Sequence, residues 1–238
     1  MHVDTPAPKE RSWMNALTGR EWSTMILIIV FSSIPAFGGL VRLFELAGGP
    51  SALPENPRAL TDPWPIVLHI SGSFVFCLAG AIQFLPSLRR HHPAAHRRLG
   101  RVMVMAGVLS AGTGLWMTLV YAFPEDLQGS LLFSVRVILS LSMIALLGCA
   151  IIAAKARDFK NHGASMLRAY AVGQGASTQA LLGIAWIVST GVEPIGFFRD
   201  CFMVLCWVVN ILVAEVIVRF FVTKANPALP TYAHASTQ

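Results

Sequence analysis

Six continuous apolar runs, each long enough to cross a bilayer as a helix, restrict this chain more than any other feature. They lie at about Thr24 to Leu46, Ile66 to Leu88, Leu99 to Phe123, Ser130 to Ala154, Ala164 to Thr190 and Gly196 to Val222. Crossing about 30 Å of hydrocarbon takes roughly 20 helical residues. Lipid offers no hydrogen-bond partners, so the backbone must satisfy itself within a helix or a closed barrel. The runs are continuously apolar rather than alternating, which excludes a barrel. A soluble globule is excluded by composition, because 55% hydrophobic and only 13% charged residues leave too little polar surface to cover one. The expected architecture is therefore an all-α membrane protein, a six-transmembrane-helix bundle.

Around these spans the chain divides into three parts. Residues 1–23 form a polar leader in which Trp13, Met14, Leu17 and Trp22 lie near Lys9, Arg11 and Arg20, a pattern that predicts a short amphipathic interfacial helix. Residues 24–222 hold the six spans, and the Pro-, Ala- and Ser-containing residues 223–238 form a flexible tail. The first run is too long for a signal-peptide core and is read as a retained span.

Charge orients the bundle. With the N-terminus in the cytoplasm, the inner segments collect Lys9, Arg11, Arg20, Arg89, Arg90, Arg97, Arg98, Arg101, Lys155, Arg157, Lys160, Arg168, Arg219 and Lys224, 14 of the 18 basic residues. The bias repeats at every inner loop, so both termini are expected in the cytoplasm. The net charge of +6 is thus a membrane signal, and no motif interleaves the basic residues for nucleic acid. The four cysteines all fall inside spans without a metal-ligand spacing.

The densest segment is Arg89 to Arg101, with five arginines and three histidines in 13 residues. Its first half, Arg89 to His92, reads as topology signal and headgroup contact. The second half continues into helix 3, where His96, Gly100, Val104, Gly107, Ala111, Gly114 and Thr118 share one smooth side. His162 heads helix 5 in the same way, followed by Ser165, Ala169, Gly173, Ala176, Ala180 and Gly183. Two histidines above two smooth faces at one membrane depth offer axial ligands and space for haem b. Small faces are equally the means by which membrane helices approach each other closely.

Other polar groups lie within the spans. His69 on helix 2 aligns with Gly72, Phe76, Ala79 or Gly80, and Gln83. It is expected to make a structural hydrogen bond, with Asp200 as a partner, or to accept a proton or bind a quinone. Arg136 lies about two turns inside helix 4 and should find a carboxylate among Glu45, Glu193 and Asp200, since a lone intramembrane arginine is costly. Glu215 and Arg219 are spaced to pair along helix 6, with Arg101 and Arg168 as competitors for the carboxylate. Phosphate loops, nucleophile elbows and paired-carboxylate sites are absent from the sequence.

His69, Gln83-Phe84, the run His96 to Arg101, and His162 followed by Met166 to Ala171 together resemble a bacterial family of multi-pass membrane proteins classed as a domain of unknown function. The resemblance spans residues 66–190 and implies a bacterial cytoplasmic (inner) membrane location without implying an activity. The family commonly has arginine after the second histidine and tryptophan before the methionine, where this chain has Gly163 and Ser165. A looser, topological similarity is to the six-helix transmembrane b-type cytochromes, in which His96 and His162 would match one of two ligand pairs. Helix 4 lacks the imidazole that the other pair requires.

Three functions follow as expectations. The first is electron transfer through haem b held by His96 and His162, with Gly100, Gly107 and Gly173 making room and Arg97, Arg98, Arg101 and Arg168 neutralising the propionates; a quinone or another reductant would be its redox partner. The second is a non-redox module that binds or transports an anionic lipid or small anion through Arg101, Arg168 and Arg219, with His96 as donor. The third is an accessory subunit docked in a larger membrane complex. All three place the chain among membrane lipids, and none requires nucleic acid.

Overall fold

The computed structural model describes residues 17–222. Within them lie α1 (Gly19–Leu46), α2 (Pro57–Thr61), α3 (Trp64–Gln83), α4 (Pro86–His91), α5 (Pro93–Val120), α6 (Ser130–Lys155), α7 (Phe159–Gly173), α8 (Gly175–Thr190) and α9 (Gly196–Ile217), the last running into a π turn at Val218–Val222. The described residues contain no strand. Six elements are long and apolar enough to span: α1, α3, α5, α6, the α7–α8 pair and α9 with its π turn. The six expected spans are therefore all present.

Their ends shift for local reasons. Thr18 caps α1 and forms a capping box with Glu21, so Arg20 and Trp22 belong to the first turn of this span. The remainder of the expected interfacial helix and the C-terminal tail lie outside the described residues. Helix α5 begins six residues earlier than the apolar run, at Pro93, a residue suited to a first helical position because it has no N–H to leave unpaired. The fifth span starts at Phe159 with Asp158 as its cap, accepting from the Asn161 amide at 3.1 Å. That bond holds the Asp158 carboxyl below its usual range.

The fifth span is also interrupted at Gln174, which ends α7 and begins α8. The smooth face expected from His162 to Gly183 consequently does not stay on one side. Ala169 is buried in α7, but in α8 the buried positions are Gly175, Ser177 and Thr178, while Ala176 is exposed. Gln174 itself donates to Ser32 Oγ and to Tyr170 Oη, both at 2.8 Å, and accepts from Ser177 Oγ at 2.6 Å.

Packing centres on α3 and α5. Gly72, Phe76, Ala79, Gly80 and Gln83, the face expected below His69, are all buried. A Cβ at Gly72 would stand 2.9 Å from the Ala106 carbonyl oxygen, so only glycine lets the two backbones approach this closely. Phe76, Met103, Met143, Leu147, Met166 and Tyr170 fill the core between α3, α5, α6 and α7. Outward, large apolar side chains such as Leu27, Phe37, Ile152 and Leu212 are exposed, as lipid-facing positions should be. Helix α1 lies against α3 and α8 and buries only Glu21 and Ser32.

Alternation of the spans gathers α4, the start of α5, the α6–α7 turn and the end of α9 at one end of the bundle. This is the arginine-rich end. The other end carries α2, the loop after Val120 and the turn at Gly191.

Candidate functional site

At the arginine-rich end, the side-chain amide of Gln83 donates to the His96 carbonyl at 3.0 Å and lies 3.4 Å from His96 Nε2. Gly100 makes this approach possible, since a Cβ there would come within 2.8 Å of the amide nitrogen. His96 Nδ1 and Gln83 Oε1 are buried without a hydrogen-bond partner among the described residues. His162 donates from Nδ1 to the Ala150 carbonyl at 2.9 Å, and the two imidazoles lie within electrostatic range of one another. The structure thus brings His96 and His162 to one end of the bundle.

The glycines below them are packed against Phe76. A Cβ at Gly107 or at Gly173 would stand 2.7 Å from the Phe76 ring, and at Gly107 also 2.9 Å from Leu147. Phe76 is 1% exposed and occupies the volume that a porphyrin would need. In this geometry the residues do not fit haem, and no step is derived through it. Among the described residues no cluster of three or more metal-ligating side chains occurs.

The nearby arginines have separate tasks. Arg97 and Arg101 are exposed on α5. Arg168 makes a two-pronged pair with Glu215 across α7 and α9, at 2.5 Å from Nε to Oε1 and 3.0 Å from Nη2 to Oε2. Of the cations expected to compete for Glu215, Arg168 holds it across helices, with Arg219 in electrostatic range. The guanidinium fork matches a carboxylate in a way that helical spacing alone could not reveal.

The opposite half differs in kind. His69 donates from Nδ1 to the Ser110 carbonyl at 2.8 Å, because Gly72 draws α3 onto α5 and sets the ring beside that oxygen. Asp200, its expected partner, is 1% exposed and instead caps α6, accepting from the Gly129 and Leu132 amides at 3.1 Å each. Helix N-termini favour a carboxylate, and this one holds it. Arg136 makes no salt bridge among the described residues, although Asp200, one of the carboxylates expected for it, lies within electrostatic range. Its Nη1 donates to Gln128 Oε1, and its guanidinium lies 5.4 Å from the Phe123 ring centroid. Glu45 is engaged by Arg42 at 2.8 Å and by the Ala52 and Leu53 amides.

His69 and Arg136 line a common cavity of about 450 Å³ in this half of the bundle, walled by α1, α3, α5, α6, the α7–α8 break and Trp207 of α9. Most other polar groups on its wall are already partnered. Ser73 and Ser110 share a hydrogen bond of 2.6 Å, Thr118 donates to Gly114, Ser177 to Gln174, and Gln179 to Met203. Tyr121 donates to the Asp62 carbonyl at 2.6 Å, and burial raises the pKa of its phenol further above the physiological range. Sequence reasoning identified His69 and Arg136 singly, but not Ser140 or Trp207. Ser140 follows Arg136 at a spacing of four on α6, which was the available signal.

The chain matches the family described as predicted membrane protein DUF2306 over residues 66–218. It belongs to that family. The DUF2306 region runs from α3 into the π turn, and so contains His69, His96, Arg136 and His162, while α1 precedes it. No curated protein and no solved structure matches the chain.

Proposed function

We propose that this DUF2306 protein is a membrane-embedded binding or carrier module for a small amphipathic molecule, held in the cavity beside His69 and Arg136. One observation carries the reading: a cavity of about 450 Å³ in a membrane bundle presents an imidazole nitrogen and a guanidinium that makes no salt bridge among the described residues. Pockets for small molecules typically combine this size with an apolar wall and a few convergent polar groups. An intramembrane arginine is a default functional candidate. Quinones and amphipathic acids both belong to the class of ligand that such a site admits. The distribution of Lys and Arg supports a cytoplasmic membrane with the arginine-rich end facing inward.

Native mass spectrometry after mild detergent extraction tests the reading. The expected result is a retained small molecule in the wild type that is lost in Ser140→Phe, a substitution that fills the cavity from α6. Equal occupancy in both proteins, or none in either, would remove the cavity from consideration.

A further inference from the structure

The hydrogen-bond inventory of the cavity narrows the ligand, and this step rests on the binding function proposed above. His69 Nδ1 faces a carbonyl, which can only accept, so Nδ1 carries the proton. In the neutral ring Nε2 is then a bare acceptor, and it has no protein partner on the cavity wall. Arg136 is the reverse, a donor that can never accept, with one bond to Gln128 and no ion pair among the described residues. Ser140 adds a hydroxyl that makes no hydrogen bond with described residues. Around His69 the groups left without a described partner are therefore one acceptor, one cationic donor and one hydroxyl able to do either, with the Gln179 amide oxygen and the Asn56 amide nitrogen elsewhere on the wall.

A complementary head must donate at one position and accept at another. The wall mixes aliphatic side chains such as Ile70, Leu78 and Leu139 with the flat or polarisable Phe74, Phe123, Met143 and Trp207, and the latter give a ring faces to stack on. We infer that the cavity binds hydroxylated aromatic rings of the quinol class, and prefers the hydroquinone to its quinone. The hydroquinone gives a hydroxyl proton to His69 Nε2 and an oxygen to Arg136. The quinone has oxygens only, so it satisfies Arg136 and leaves His69 unpaired. This is a difference in equilibrium binding and involves no oxidation step.

The test is calorimetric titration of the protein in lipid nanodiscs under argon, with ubiquinol-1, ubiquinone-1 and dodecanoate as probes and empty nanodiscs as the partition control. Ubiquinol-1 should bind about tenfold tighter than ubiquinone-1, the difference expected of one good hydrogen bond. The preference should vanish in His69→Phe and return in part in His69→Gln, whose amide oxygen still accepts. Arg136→Gln should weaken both ring probes. Equal affinity for the two, a preference for the quinone, or a tighter fit for dodecanoate would each overturn the quinol assignment. In those cases binding blocked by Ser140→Phe would leave the cavity function standing. Absence of binding by all three probes, together with no retained molecule in native mass spectrometry, would end both.

Discussion

The bundle holds two histidine-containing constellations that are built from similar residues and reach opposite states. At the arginine-rich end, His96 and His162 sit above glycines whose space is taken by Phe76. In the other half, His69 and Arg136 face about 450 Å³ of cavity. Small residues in a membrane helix therefore have two uses. Against a facing side chain they permit close packing, and without one they leave volume. The occupant decides, and it lies on another helix.

The strongest way to break this contrast is to remove the occupant. Phe76→Ala should open space beneath His96 and His162 and destabilise the protein by about 3 kcal/mol, the lower range for truncating a buried aromatic. Thermal unfolding in detergent measures the cost. A near-neutral Phe76→Ala would mean that the arginine-rich half is not the tightly filled region described above.

A smaller effect is expected at the wall of the cavity. Asp200→Ala leaves two buried amides at the start of α6 without their acceptor, at a cost of about 2 kcal/mol, whereas Asp200→Asn retains one acceptor oxygen and should lose roughly half as much. Because α6 carries Arg136, ligand retention should fall with stability in Asp200→Ala. Unchanged retention would detach Arg136 from the cap.

The least costly change is Arg168→Gln. Both partners of its pair are about one-third exposed, so solvent screening limits the loss to about 1 kcal/mol. Titrating salt against the melting temperature should reduce the difference between wild type and variant. A loss independent of salt would identify the pair as a packing contact instead.

The spans were legible because crossing a bilayer imposes length and hydropathy on each run separately. The buried face of α3 was legible for a related reason: His69, Gly72, Phe76 and Gln83 follow one helical period, and the helix remains intact. The face beginning at His162 was not, because Gln174 interrupts the period and turns the second half. Partner choice was hidden more deeply. Asp200 was a reasonable match for His69 or Arg136 by charge, yet two backbone amides at the start of α6 claim it, and no spacing in the sequence discloses that competition. The full wall of the cavity was hidden for the same reason, since seven helices contribute to it.

The two buried residues of α1 are both polar, and each makes a tie to the bundle. Glu21 accepts from the Ser87 amide at 2.7 Å and from its hydroxyl at 2.8 Å, and Ser32 accepts from Gln174 at 2.8 Å. Beyond Pro35, the half of α1 that borders the cavity rests on other contacts, among them Gly39 against Ile70. The helix is thus moored like a boat at its stern and its waist. Its bow is tied by hydrogen bonds only to the loop that follows, through Arg42 to the Pro54 carbonyl and Glu45 to the Ala52 and Leu53 amides, so a single helix with lipid at its back separates the cavity from the hydrocarbon.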